Sequence, residues 1–323
     1  MPEAPKFWTK PGLLSGLFLP LGWGHAALSA ARRRFSHAWR ASVPVICVGN
    51  LVAGGAGKTP VSLSLARILT EAGLAPHILS RGYRARLKGP LQVDPARHSA
   101  AEVGDEPLLL ARAAPTWIGA DRVASARAAI AAGAGILLLD DGLQNPYLHH
   151  DLALVVIDGA YGLGNGRVIP AGPLREPADR GLARASAIVL MGRPRPDLVL
   201  AGKTVLRATL APRAGEIFKG KSVIAFAGIG QPKKFFATLE EIGAVLAGAH
   251  PFADHHPYRD TELARLAAEA SENDAALVTT EKDWVRIAPA WRQRASALKV
   301  EVEWADEAAL RRVLAPALER AHG

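Results

Sequence analysis

The 323-residue chain is poor in cysteine, in aromatic residues and in negative charge. Its one cysteine, Cys47, cannot close an internal disulfide, and no Cys and His cluster has zinc-site spacing, so a reducing compartment is expected. Aromatic residues make up 6%, too few to interleave with basic residues along a nucleic-acid groove, and no nucleic-acid partner is expected. Asp and Glu number 30 against 39 Lys and Arg; the formal charge of +9 favours phosphorylated or other anionic partners. There is no internal repeat of fixed period. What is present is 49% hydrophobic and 21% charged residues, enough for sizeable cores at a length that suggests two domains sharing one site.

Residues 11–31 (PGLLSGLFLPLGWGHAALSAA) hold no Lys, Arg, Asp or Glu and run into Arg32, Arg33 and Arg34. Pro20 and four glycines make this a poor continuous spanning helix, and it lies too far into the chain for a cleaved signal peptide. Two readings stand side by side. In one, Leu13, Leu14, Leu17, Phe18, Leu21 and Trp23 enter a lipid headgroup boundary while the arginines meet anionic lipid. In the other, the segment is a helix packed on the core.

From Val43 short apolar runs alternate with helical patterns, the signature of a mainly parallel sheet covered by helices. Strands are predicted at 43–48, 76–79, 116–118, 136–140, 152–158 and 187–191. The helix after Thr59 places Val61, Leu65, Ile68 and Leu69 on one face and stops at Gly73; another spans 122–132. After a strand at 205–210, residues 212–215 read as a linker. A second alternation follows, with strands at 223–227, 276–279 and 300–304 and helices near 233–242, 261–270 and 307–319.

The strongest chemical signal is GNLVAGGAGKTP at 49–60, where a strand hands over to a helix. Backbone amides of Gly54, Gly55, Ala56 and Gly57 can wrap phosphate oxygens at the positive end of that helix, with Lys58 on the outer phosphates and Thr59 on Mg2+. The strict P-loop pattern wants glycine where this chain has Val52. Downstream, ILLLDDGLQ at 136–144 delivers Asp140 and Asp141 to the C-terminal end of a strand, where open parallel sheets bind ligands and where an acidic Mg2+ site is expected. A phosphotransferase also needs a proton acceptor, for which Asp105 of GDEP (104–107) is the candidate; taken alone it is equally a helix N-cap. Asp254-His255-His256 offers a histidine beside a carboxylate, or surface histidines in a loop. SRGYR (80–84) and GPLREP (172–177) place arginine forks, suited to phosphate, at strand ends and turns.

Together these blocks resemble one family, the tetraacyldisaccharide 4'-kinases of lipid A biosynthesis. The likeness includes the N-terminal apolar segment and GNLVAGGAGKTP, SRGYR, GDEP, GADR (119–122), DDGLQ (140–144), GPLREP, GIGQPKKFF (228–236), FADHHPY (252–258) and TTEKDW (279–284). It implies ATP-dependent phosphorylation of the 4'-hydroxyl of an acylated glucosamine disaccharide 1-phosphate to give lipid IVA, with ATP and Mg2+ as cofactors. The implied place is the cytoplasmic face of the bacterial inner membrane, peripheral or monotopic. The implied fold is a P-loop NTPase-like α/β core over 41–212, a second smaller α/β domain over 213–323 closing over the site, and an interfacial segment over 1–40. Carried over by motif, Lys58, Asp141, Asp105 and His255 are catalytic, Asp105 as base and His255 as its partner. Gly54, Gly55, Ala56, Gly57, Lys58, Thr59 and Gln144 bind the nucleotide, while Tyr83, Arg122 and Arg175 line the nucleotide or the anionic substrate. Thr59, Asp140, Asp141 and Glu106 form the metal site. Asn145 stands where the family often has histidine, and could still hydrogen-bond phosphate. A competing reading, a membrane-recruited nucleotide switch with a GG-x-GKT loop, is disfavoured by Ala53, where such switches often carry lysine.

Overall fold

The computed structural model describes residues 5–200 and 202–322. Twelve strands among these residues form one sheet: β1 (Val45–Gly49), β2 (Pro76–Ser80), β3 (Leu91–Gln92), β4 (Thr116–Ile118), β5 (Ile136–Asp140) and β6 (Leu152–Asp158), followed by β7 (Ala187–Met191), β8 (Val205–Arg213), β9 (Ser222–Ala227), β10 (Val245–Pro251), β11 (Ala276–Thr280) and β12 (Ala295–Trp304). Their spatial order is β10-β9-β11-β12-β8-β7-β6-β1-β5-β2-β4-β3. All neighbours are parallel except β3 against β4 and β12 against β8. The helices before the first half of the sheet are α1 (Leu13–Leu17) and α2 (Leu19–Arg34). Within that half lie α3 (Lys58–Glu71), α4 (Ala100–Val103), α5 (Asp105–Leu110), α6 (Arg122–Ala131) and α7 (Ala178–Ala183). In the second half lie α8 (Pro232–Glu241), α9 (Asp260–Glu272), α10 (Glu281–Trp284), α11 (Pro289–Arg292) and α12 (Glu307–His322).

The alternation along each strand sorts residues between two faces. Ile46 and Val48 of β1 meet Val61, Leu65, Ile68 and Leu69 of α3, whereas Val45 and Cys47 point to the opposite core with Ala126 and Ala129 of α6. Central strands buried on both sides read as unbroken apolar runs, which is why β1, β5 and β7 were visible in sequence. The C-terminal helix turns back: Leu310, Leu314 and Ala317 of α12 join the α3 core, and Trp304 Nε1 donates to Ser64 Oγ at 2.9 Å.

Three expectations are corrected. Pro212 and Arg213 are not linker but the end of β8, paired with Val300 and Lys299; beyond β7's reach, Pro212 sits where the strand has one neighbour, a position proline tolerates. β12 starts at Ala295, five residues before the expected strand, because its first residues pair with β11. The edge strand β10 was missed since a register shift between Leu246 and Gly248 and a half-exposed face blur its alternation. At the N-terminus the apolar run is two helices broken at Phe18, with Pro20 in the first turn of the second. Among the described residues no helix is long and apolar enough to cross a membrane. Ser15 and Gly22 are buried against the body, while Leu13, Leu14, Leu17, Leu21 and Trp23 are exposed and Phe18 is half-buried beside Phe7.

Candidate active site

The glycine-rich loop joins β1 to α3 at the C-terminal edge of the sheet. Gly57 has φ 87° and Gly54 φ 129°, conformations that disfavour side chains. The loop is pinned from behind: Asn50 Nδ2 donates to Gly54 O at 3.2 Å, Ala53 N to Pro173 O at 2.8 Å, and Arg175 N to Leu51 O at 2.8 Å. The GPLREP segment is thus a brace for the loop, and Val52, the departure from the strict motif, forms a bridge to Leu174 within it. Asn50 Oδ1 is buried with no protein partner.

Beside β1, β5 ends in the acidic pair, which adopts two environments. Asp140 is 2% exposed and accepts from Ser62 Oγ at 2.8 Å. Burial, reinforced by the charges of Glu106 and Asp141, pushes its carboxyl up to about 7. Asp141, in the left-handed region at φ 54°, turns its side chain to the cations: Arg175 Nη1 lies 2.8 Å and Lys58 Nζ 3.7 Å from Oδ1. Burial opposes ionisation of Asp141, but Lys58 and Arg175 outweigh it and hold the carboxyl below its usual value.

The third cluster crosses between the halves of the sheet. Asp105 opens α5, 7% exposed, and its Oδ2 meets His255 Nδ1 at 2.9 Å and Arg286 Nε and Nη2 at 2.8 and 2.7 Å. Burial raises the Asp105 carboxyl, yet the His255 hydrogen bond and the charges of Lys282 and Arg286 bring it well below the carboxylate range. The other nitrogen of His255, Nε2, lies 3.4 Å from Lys282 Nζ, which also reaches Glu106 Oε1 at 3.0 Å. Tyr83 closes the edge, its ring 6.1 Å from that of His255 at 62°.

The remaining expected residues fall as follows. Gln144 donates to Asn50 O and Glu176 Oε1 and accepts from Arg175, so it stands behind the loop in a polar network. Arg122 is 4% exposed, donates to Gly119 O and has its Nε buried without a partner; burial and Arg81 bring it down to about 10. Thr59 follows Lys58 in the first turn of α3. Asn145 Oδ1 accepts from Tyr147 N and Leu148 N, so that oxygen closes a turn. Sequence reasoning missed Lys282 and Arg286 as site residues, although Lys282 lies inside TTEKDW and Arg286 one helical step beyond Asp283. It also missed Ser62 and Asn50, whose only signal was closeness to Lys58.

The donor set Thr59, Asp140, Asp141 and Glu106 is all oxygen, which suits Mg2+, and Asp140 is a carboxylate held up by burial and by the charges of Glu106 and Asp141. Two of the four are already paired with cations, Glu106 with Lys282 and Asp141 with Arg175 and Lys58. Among the described residues no three His, Cys, Asp or Glu side chains form a ready cage. Mg2+ commonly takes one or two carboxylates and completes its shell with phosphates and water.

Comparison with known proteins agrees with this geometry. A family model described as Tetraacyldisaccharide-1-P 4'-kinase matches residues 14–319. A tetraacyldisaccharide 4'-kinase of Rhodospirillum centenum is 54% identical, covering 98% of this chain and 97% of its own. One from Gluconacetobacter diazotrophicus is 51% identical over 99% of each. The crystal structure of the "apo" form of LpxK from Aquifex aeolicus in complex with ATP superposes with a TM-score of 0.80 at 28% identity, covering 95% of this chain and 100% of that one. An α/β sheet carrying a phosphate loop, an acidic strand end and a family match over nearly its whole length place this chain in the tetraacyldisaccharide-1-P 4'-kinase family.

Proposed function

We propose that this chain moves the γ-phosphoryl group of ATP onto the 4'-hydroxyl of an acylated glucosamine disaccharide 1-phosphate, giving lipid IVA, and that the residues above divide the work as follows. Lys58 and the amides of Gly54 to Thr59 hold the outer phosphates. Thr59, Asp140 and Asp141 would hold Mg2+, which when bound neutralises charge on the transferring phosphate. The Asp105–His255 pair accepts the hydroxyl proton. With Asp105 held ionised by Arg286 and Lys282, its Nδ1 contact fixes the His255 ring and stabilises the imidazolium that forms when a proton reaches the pair. Arg175 and Arg122 supply further positive charge, and Tyr83 lines the acceptor side.

The observation that supports the reading is that the Asp105–His255 pair joins the two halves of the sheet, while Glu106, next to Asp105, acts by its charge on Asp140 in the acidic pair beside Lys58. Movement of the far half of the sheet, β9 to β11 with α8 to α10, against the phosphate-loop half aligns acceptor and phosphate; alignment of this kind is worth roughly 7 to 11 kcal/mol, more than a general base contributes. Leu13, Leu14, Leu17, Leu21 and Trp23, exposed above Arg32, Arg33 and Arg34, support docking on the cytoplasmic face of the inner membrane, where the lipid acceptor resides. The test is the fate of radiolabelled γ-phosphate with and without the disaccharide lipid. Label should pass to the lipid; release as inorganic phosphate regardless of acceptor would instead support a nucleotide switch.

A further inference from the structure

We infer that Lys282 is a positioning residue: it keeps Nε2 of His255 a bare hydrogen-bond acceptor, and so holds the ring in the neutral form that can take a proton, until the acceptor hydroxyl replaces it. The inference rests on the kinase reading above and deepens it.

Both nitrogens of His255 have partners whose chemistry is one-sided. The ring is aimed by backbone in the left-handed region, φ 62°, uncommon outside glycine, and His255 N donates to Gly228 O at 3.0 Å. Nδ1 lies 2.9 Å from Asp105 Oδ2, and an ionised carboxylate only accepts, so the proton between them belongs to Nδ1. Nε2 lies 3.4 Å from Lys282 Nζ, and an ammonium only donates, so Nε2 presents its lone pair. Burial opposes the charge of Lys282, but Glu106 and Asp105 outweigh it and hold the ammonium above its ordinary value. Thr280 caps α10 by accepting from Asp283 N at 3.0 Å, which fixes the turn that carries the lysine.

The other groups facing the ring do not supply this. Asp254 Oδ2 stands 3.8 Å from Nε2, beyond hydrogen-bond distance. Tyr83 meets the ring edge to face, and Arg286 is turned to Asp105. Without the ammonium, Nε2 faces the Asp254 carboxylate alone and binds a second proton. The product is an imidazolium between two carboxylates, with no lone pair left for the hydroxyl. Lys282 has a second partner, Glu106 Oε1 at 3.0 Å, so it can leave Nε2 and stay paired. In the transfer the hydroxyl proton passes to Nε2 as its oxygen bonds to the γ-phosphorus and the bond from phosphorus to the ADP oxygen breaks. The imidazolium that results is held by Asp105.

The experiment uses the full chain with 15N-labelled histidine, its His255 signals identified by their loss in His255→Gln. Near neutral pH, wild type, Lys282→Arg and Glu106→Gln should show Nε2 as an unprotonated nitrogen, whereas Lys282→Met should show it protonated. Glu106→Gln separates the donor from the salt bridge, since it breaks the bridge and leaves the ammonium. In steady-state kinetics Lys282→Met should lose about tenfold or more in kcat at about pH 7, with the ATP KM kept. That deficit should shrink toward about pH 9 as the extra proton leaves, and Lys282→Arg should recover most of the rate. A bare Nε2 in Lys282→Met, a protonated Nε2 in wild type, or a kcat deficit equal at every pH overturns the inference. The nitrogen signals need no turnover and so stand apart from the kinase reading, which fails by itself if wild type labels no lipid.

Discussion

Arg286 lies 181 residues after Asp105, yet its Nε sits 2.8 Å from Asp105 Oδ2 while its Nη1 holds Gly228 O at 2.7 Å and Asp283 Oδ1 at 2.8 Å. One guanidinium therefore sets the position of a carboxylate on α5 from the far half of the sheet. Arg286→Ala should lower kcat about a hundredfold, the loss expected for a misplaced reacting group, with ATP affinity retained. Arg286→Lys keeps the charge without the fork and should fall between. Steady-state kinetics with separate ATP binding measurements decide it.

Lys58 and Asp141 stand 3.7 Å apart at the phosphate loop, one a cation and the other an anion. Lys58→Ala removes a charge aimed where negative charge spreads in the transfer, and kcat should drop about a hundred- to a thousandfold or more. Asp141→Ala should lose nearly all turnover and leave Arg175 without its carboxylate. Turnover at saturating ATP and Mg2+ is the measurement.

His150 gives a pH dependence of stability. Burial, with the charges of His149, Arg184 and Arg33, pulls it down from 6.5 to about 4, and its Nε2 is buried without a partner. The folded-state value is depressed, so the contribution is complete above pH 6.5 and is lost as pH falls through about 4. It amounts to up to about 3 kcal/mol. Urea unfolding between pH 7.5 and 4 should show this loss in wild type and a flatter profile in His150→Gln.

Gly49 lets the phosphate strand and the acidic block touch. A Cβ at this position would stand 2.5 Å from Leu143 Cβ, so Gly49→Ala must push β1 and DDGLQ apart. A loss of about 1 to 3 kcal/mol in chemical unfolding is expected, together with weaker ATP binding.

Much of this was readable in the sequence. Central strands buried on both faces carry continuous apolar runs, and the glycine loop and paired aspartates lie next to strands whose ends define the ligand edge. Val61, Leu65, Ile68 and Leu69 declared the buried face of α3 by their spacing. What was hidden depends on long-range placement. Nothing local says that Arg286 meets Asp105, that Lys282 neutralises Glu106, or that GPLREP braces the phosphate loop through Val52 and Leu174. β10 was obscured because an edge strand with a register shift keeps only a weak two-residue period.

The most direct test of the central claim compares ATP binding and phosphate transfer to the lipid in Asp105→Ala. On the proposed assignment the Asp105–His255 pair acts only on the acceptor hydroxyl, so ATP Kd should stay close to wild type while label transfer to the disaccharide lipid falls about a hundred- to ten-thousandfold. Loss of ATP binding to the same degree as transfer, or transfer at the wild-type rate, would contradict the account.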